Sequence, residues 1–366
     1  MYLNNRMVKI KKDFYMNQFI PLKIKSVSPQ TEQAICIAFE IAPEQQQQFQ
    51  YQPGQHLTIR HMSETGEIRR CYSICSDTQE DMSIAIKKIE QGQFSNWANN
   101  RLKAGDVLEV MPPQGVFFQK AAKTGGKNYL AFAAGSGITP ILSIVKSVLY
   151  QQENANLTLI YGNRSWKQTM FSEQIMDLKD RFKERFQLIN IFSREMNDSQ
   201  LLNGHIDTEK LQQLYSAGLI NQDIDHCFAC GPQAMMDAVE QTLPQFGIEH
   251  SKIHTERFNT GTTKVTTREI EGRNEEKVQI ILDGRELVVE VSRQDDSILD
   301  AALRAGADLP YACKGGVCAT CKCKIIAGKV DMAVNYSLEE DEIAQGYVLS
   351  CQARPVTANV RLSFDE

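Results

Sequence analysis

At 366 residues the chain is too long for one hydrophobic core and implies two or three domains. Its 42% hydrophobic and 23% charged content is that of an ordinary globular protein, and a net charge of −5 excludes the basic excess that nucleic-acid binding needs. No apolar run approaches a membrane span and no secretory signal pattern precedes the ten cysteines, which argues against an extracellular disulfide framework and for a reducing cytoplasm.

Residues 1–15 are polar and mildly basic, Met16 looks like a fresh start, and residues 1–16 are read as an extension without assigned function. From there to residue 120, short alternating runs such as 22–27 and 34–39 are separated by turns, with a solvated glutamine run at 45–48. Period-two alternation broken by turn residues marks antiparallel strands, and several in series suggest a barrel. Arg70-Cys71-Tyr72-Ser73 is an RxYS pattern, in which Arg70 and Tyr72 share one face of a strand and Ser73 takes the other. A guanidinium can hold a pyrophosphate by charge-assisted bonds while a phenol ring stacks on a flat heterocycle. Downstream of Ile86 and Lys87, Gly92 and Ser95 precede a helical segment whose first amides suit a phosphate. Residues 105–110 and 112–117 read as a closing hairpin.

Residues 127–134 (KNYLAFAA) form a continuous apolar run, as a buried parallel strand requires. They feed into Gly135-Ser136-Gly137-Ile138-Thr139-Pro140 and an apolar helix, which is the strand, glycine turn and helix of a dinucleotide crossover. Pro140 replaces the third glycine of that fingerprint and suits a first helical turn. Further strands are expected at 157–161, 186–192 and 225–230, the last ending at Gly231-Pro232. Residues 254–258 (HTERF) close this second segment.

Residues 259–275 are polar, lack an apolar period and read as a linker. Residues 278–291 hold two strands around Asp283-Gly284, a sharp hairpin signal, and 297–306 is a capped helix ending on glycine. Then comes Cys313-Lys314-Gly315-Gly316-Val317-Cys318-Ala319-Thr320-Cys321. This CxxxxCxxC, with Cys351 following, is the plant-type ligand spacing for a [2Fe–2S] cluster. Gly315 and Gly316 are both expected to take positive φ so that amides approach the cluster. The alternatives are a buried or disulfide-bonded cysteine group or a zinc site, but zinc sites pair two short hooks and only one is present. Cys323 falls outside the spacing and reads as a buried strand residue.

The ordered motifs RxYS, GxxS, AGSGITP, YGNR, SRE and CGP, followed by CxxxxCxxC, resemble the ferredoxin–NADP reductase family with a C-terminal plant-type ferredoxin domain. The resemblance implies an antiparallel β-barrel FAD domain at 17–120, an α/β Rossmann-like NADP(H) domain at 121–258 and an α+β β-grasp [2Fe–2S] domain at 276–366. It implies that Arg70 contacts the flavin phosphates, Tyr72 stacks on the ring, Ser73 sits near its N5, and Ile86, Lys87, Gly92 and Ser95 line the rest of that site. Gly135, Ser136, Gly137 and Thr139 would hold the nicotinamide nucleotide, with Cys230, Gly231 and Pro232 flanking its ring. Arg164, Ser193 and Arg194 would take a 2′-phosphate, favouring NADPH, while Glu256 and Phe258 would approach the reacting rings. Tyr72, Ser73, Cys230 and Glu256 are the catalytic candidates, and Cys313, Cys318, Cys321 and Cys351 the metal ligands.

The domain order resembles the reductase components of bacterial oxygenases, so the implied partner is a di-iron oxygenase, with no nucleic acid or membrane involved. Acceptors such as a hybrid-cluster protein or another hydroxylase, and a redox-sensing module with little turnover, stay open. The acidic run 339–342 is either a docking face for a basic partner or a solvated surface.

Overall fold

The computed structural model describes residues 18–64, 66–258, 276–292 and 294–366, in two compact units divided at residue 258. The leader at 1–16 and the linker at 259–275 fall outside the described residues.

The first unit opens with β1 (Ile20–Thr31), β2 (Ala34–Glu40), β3 (His56–Ser63), β4 (Gly66–Ser73), β5 (Ser83–Lys87), α1 (Gln93–Arg101), β6 (Val107–Val110) and α2 (Gln119–Thr124). The six strands make one antiparallel sheet in the order β4-β3-β6-β1-β2-β5. A bridge between Ile74 and Ile84 brings the end of β4 round to β5 and curls the sheet towards a barrel. Alternation puts Leu22, Ile24, Ile37, Phe39, Leu57 and Ile59 inside. The hairpin expected at 105–117 does not form. Beyond β6 only Gln114 bridges, to His56, because Pro112 and Pro113 have no N–H to offer a ladder.

The chain continues with β7 (Asn128–Ala134), α3 (Ile138–Gln151), β8 (Asn156–Asn163), α4 (Ser172–Arg181), β9 (Phe186–Phe192), α5 (Thr208–Ser216), β10 (His226–Gly231), α6 (Gln233–Thr242) and β11 (Ile253–Arg257). These strands form a parallel sheet ordered β11-β10-β7-β8-β9. The order reverses direction at β7, so β7 and β10 are neighbours whose following loops diverge to opposite faces. That is the crevice where such sheets bind ligands. Helix α3 is buried from Ile138 through Leu149, around its whole circumference. It is covered on one side by the sheet and joined on the other to the barrel residues Ala34, Cys75 and Ala85, which explains a helix with almost no polar face. Ser143 Oγ donates to the Ser76 carbonyl (2.7 Å) and Lys146 pairs with Glu80 (2.7 Å), pinning barrel to sheet.

The second unit holds β12 (Glu276–Leu282), β13 (Arg285–Val291), α7 (Ile298–Arg304), β14 (Lys322–Ala327), β15 (Val330–Met332), α8 (Glu340–Ala344), β16 (Tyr347–Leu349), β17 (Ala353–Pro355) and β18 (Val360–Ser363). Its mixed sheet runs β13-β12-β18-β14-β16, with a separate β15-β17 pair. Asp283 and Gly284 both take positive φ (52° and 70°), the two-residue hairpin turn that Asp-Gly favours. Ser297 caps α7 by accepting from the Asp300 amide (3.1 Å).

Candidate functional site

The two glycine-bearing loops of the first unit meet at the β7/β10 boundary. Gly135–Gly137 forms a single 3-10 turn between β7 and α3, with Gly135 at φ 53°. A Cβ on Gly137 would lie 2.0 Å from the Cys230 carbonyl oxygen and 2.4 Å from its carbon, so only glycine lets α3 start this close to the end of β10. Thr139 Oγ1 donates to the Ser136 carbonyl (3.1 Å), and Tyr161 Oη donates to the Gly135 carbonyl (3.1 Å), fixing the turn from both sides. Pro232 is the residue before the first turn of α6.

Glu256 stands beside Cys230 in the β10/β11 register. It accepts from Ser73 Oγ (3.0 Å), joining residues 183 apart in sequence and tying the edge barrel strand β4 to the outermost parallel strand β11. Burial raises the Glu256 carboxyl to about 7, against the opposing pull of His56 and the Ser73 hydroxyl. Burial also pushes the Cys230 thiol well up, with the Glu256 charge adding to it. His56, paired with Ser73 in the β3/β4 register, thus belongs to this group. Nothing in its PGQH context flags it in the sequence.

Arg70 and Tyr72 lie on one face of β4, close enough for the guanidinium to oppose the rise that burial imposes on the phenol. Phe94 of α1 lies 5.8 Å from the Tyr72 ring, which brings the start of α1 to the same place. The Ser95 hydroxyl is not free there. It accepts from the Ile89 amide (3.1 Å), and Asn96 Nδ2 donates to the Ile89 and Gly92 carbonyls (2.9 and 2.7 Å), so the loop before α1 is stapled by its own side chains. What remains for a ligand is the unpaired amides of the first turn of α1. The Ile86 side chain is fully buried in the barrel core, leaving only its backbone near any ligand.

A basic rim runs along the crevice. Lys87 Nζ comes within 3.4 Å of where a Gly135 Cβ would sit. Burial and the nearby Arg164 both lower the Lys87 ammonium. The ends of β8 and β9 continue in register, the Ser193 amide donating to Asn163 (3.0 Å) and the Arg194 amide to Arg164 (2.8 Å). Among the described residues, Arg70, Lys87, Arg164 and Arg194 have no carboxylate partner, so the rim is positive and uncompensated. Asn163 Nδ2, from the YGNR motif, is buried here beside the Tyr161 hydroxyl without a well-formed hydrogen bond. Glu195, the residue after Arg194, accepts from the Trp166 amide with one oxygen (2.8 Å). Phe258 packs against the core that joins barrel and sheet. Crowded glycines, uncompensated cations and a buried orphan amide fit a dinucleotide's phosphates and flat rings.

In the second unit the cysteines fall into two pairs. Cys313 interacts most strongly with Cys318 and Cys321 with Cys351, while weaker charge contacts join Cys313 to Cys351 and Cys321 to Cys318. Among the described residues no three His, Cys, Asp or Glu side chains converge on a single ion. Two thiol pairs are what two neighbouring irons require. The Gly315 amide donates to Cys313 Sγ (3.3 Å) and Gln352 Nε2 to Cys351 Sγ (3.6 Å). The Cys321 contact holds the Cys351 thiol down at about 7, helped by Gln352 and the Gly316 amide, whereas Cys313 and Cys321 are raised. Of the two glycines only Gly316 takes positive φ (76°), and Lys314 (51°) and Ala319 (53°) supply the other left-handed positions. The Lys314 side chain pairs with Asp300 (2.8 Å). Cys323 is buried in β14, outside both pairs. The donor set fits a [2Fe–2S] cluster.

Three family models match the chain: an oxidoreductase FAD-binding domain over 21–118, an oxidoreductase NAD-binding domain over 132–241 and a 2Fe-2S iron-sulfur cluster binding domain over 280–356. The chain is 49% identical to one of the components of 1,2-phenylacetyl-CoA epoxidase from Escherichia coli (strain K12), over 96% of this chain and 99% of that protein. It is 32% identical to the ferredoxin reductase component of 3-ketosteroid-9-alpha-monooxygenase from Rhodococcus rhodochrous, over 94% and 96% of the two chains. The chain belongs to the ferredoxin–NADP reductase family with a C-terminal [2Fe–2S] domain. A solved phthalate dioxygenase reductase shares its fold, with a TM-score of 0.59 at 23% identity over 94% of this chain and 98% of that one. A family member of this kind is an oxidoreductase with FAD, nicotinamide and [2Fe–2S] sites, and the barrel strand, the crevice and the cysteine loop supply one for each. Among the described residues no helix is long and apolar enough to cross a membrane.

Proposed function

We propose that this chain takes electrons from NADPH and passes them through FAD and a [2Fe–2S] cluster to the di-iron oxygenase that epoxidises phenylacetyl-CoA in aerobic phenylacetate catabolism. The observation that carries this reading is 49% identity along 96% of the chain to the Escherichia coli epoxidase component. Residues 17–120 would hold FAD, 121–258 NADPH and 276–366 the cluster.

When bound, the flavin accepts a hydride and releases electrons singly, which matches a two-electron donor to a one-electron cluster. The protein's task is to align and to hold charge. Tyr72 offers a half-buried ring face, and Arg70 with the first-turn amides of α1 would take the flavin's phosphates. Gly137 lets α3 begin directly against Cys230, where the nicotinamide nucleotide would bind, and Lys87 would face its phosphates from the barrel side. Ser73 Oγ–H holds a proton against Glu256 Oε2 where the two rings would meet. Near neutral pH Glu256 can keep or release a proton in that closed space. Arg164, Ser193 and Arg194 favour a 2′-phosphate, because Glu195 is drawn onto the Trp166 amide instead of facing a ribose. Cys313, Cys318, Cys321 and Cys351 hold the cluster. None of the ten cysteines is in a disulfide, which suits the cytoplasm.

The test is NADPH oxidation by the purified holoenzyme with the oxygenase components of the epoxidase, with and without phenylacetyl-CoA. Oxidation matched by loss of the thioester supports the reading. Fast reduction of ferricyanide with no coupling keeps the reductase and removes this acceptor in favour of another hydroxylase.

A further inference from the structure

We propose that Gln352 sets the potential at which the cluster takes up its electron, through a side-chain N–H···S bond to Cys351. The inference rests on the [2Fe–2S] reading of the four-cysteine site. Gln352 is 3% exposed, directly after the fourth cysteine and before β17. Its Nε2 donates twice: to the Lys314 carbonyl in the cluster loop (3.1 Å) and to Cys351 Sγ (3.6 Å). The Lys314 carbonyl fixes which end of the amide is nitrogen, since the reversed orientation would set oxygen against oxygen.

Its Oε1 is buried with no hydrogen-bond partner. A buried, unpaired carbonyl destabilises the fold, and an aliphatic side chain of similar length would avoid that cost. The use of this amide must therefore lie at its nitrogen, and the nitrogen faces a ligand sulfur. Further donors to these sulfurs, the Gly315, Gly316 and Cys351 amides, are backbone groups that any residue but proline provides. Gln352 is a side-chain choice. Its bond to sulfur strengthens when the cluster gains an electron and its sulfurs become more negative, so it favours the reduced form. The same amide also ties the cluster loop at residue 314 to Cys351 in the turn after β16, so it positions the fourth ligand as well as polarising it.

The experiment is a potentiometric titration of the holoenzyme, followed by electron paramagnetic resonance of the reduced cluster, for wild type, Gln352→Leu and Gln352→Met. The reduced-to-oxidised ratio at a fixed potential should fall about tenfold in both variants, which for a one-electron couple is about 59 mV. Cluster content and flavin potential should stay as in wild type. A change of less than twofold with the cluster intact overturns the proposal. Should both variants lose the cluster, wild-type protein labelled with side-chain ¹⁵N-glutamine decides. A pulsed-resonance coupling from that nitrogen to the reduced cluster supports the bond, and its absence removes it. Wild type without iron, sulfide or a reduced-cluster signal would instead bring down the underlying [2Fe–2S] reading.

Discussion

Gly137 and Glu256 are the two residues on which the crevice depends most directly. A methyl at Gly137 would overlap backbone atoms of Cys230 that no side-chain rotation can move away. Gly137→Ala should therefore destabilise the first unit by about 1–3 kcal/mol or more and raise the KM for nicotinamide nucleotide, read by thermal unfolding and steady-state kinetics. For Glu256 the sign follows from a folded carboxyl raised to about 7 above its usual 4.5. The native state then binds more protons than the unfolded chain between those values, so this group's contribution is fully present below 4.5 and is lost as pH rises through 7. Glu256→Gln should flatten that decline in unfolding midpoints measured from pH 4.5 to 8, whereas an unchanged profile would mean the carboxyl is not raised. Much of this lies beyond the reach of the sequence. The cysteine spacing and the Gly-Ser-Gly turn are local patterns with local physical causes and can be read directly. The Ser73–Glu256 bond and the place of His56 are products of strand order, and no window of sequence contains both partners.

At the scale of elements, strand ends do the selecting. β8 and β9 finish side by side and present Arg164 and Arg194, which have no carboxylate partner among the described residues. Charge-assisted hydrogen bonds contribute about 1.5–3 kcal/mol each, so Arg164→Ala with Arg194→Ala should raise the KM for NADPH by about two to four orders of magnitude and leave that for NADH nearly unchanged. Equal losses with both nucleotides would remove the 2′-phosphate assignment. In the second unit the cap of α7 has a cost that can be measured. Ser297→Ala should lower stability by about 1 kcal/mol in denaturant unfolding followed at the cluster's visible absorption. Helix and strand types are largely legible from period and punctuation. At 105–117 alternation suggests a hairpin, but two adjacent prolines outweigh it in the fold. Ser95 sits where a ligand contact is expected, yet its hydroxyl closes its own loop.

Across the whole molecule the chemistry is split between two compact units, and one substitution should separate the halves. Cys351→Ser should abolish the cluster signal and electron delivery to the oxygenase while NADPH-driven ferricyanide reduction, which needs only the first unit, persists at near wild-type rate. Loss of both activities would show that the first unit depends on the second for its fold.

The position of Cys351 has a further consequence, for how the metal centre is assembled. Three sulfurs arrive together on one loop, but the fourth reaches them only when β16 has paired with β14, through Lys322↔Leu349 and Cys323↔Val348. Closing the cage and zipping that edge of the sheet are thus a single equilibrium, and whatever favours one favours the other. An iron chelator should act on this domain as a denaturant would, first releasing the β14–β16 edge to amide hydrogen exchange. A scaffold delivering a preformed cluster would meet a site still open on the side of its last ligand.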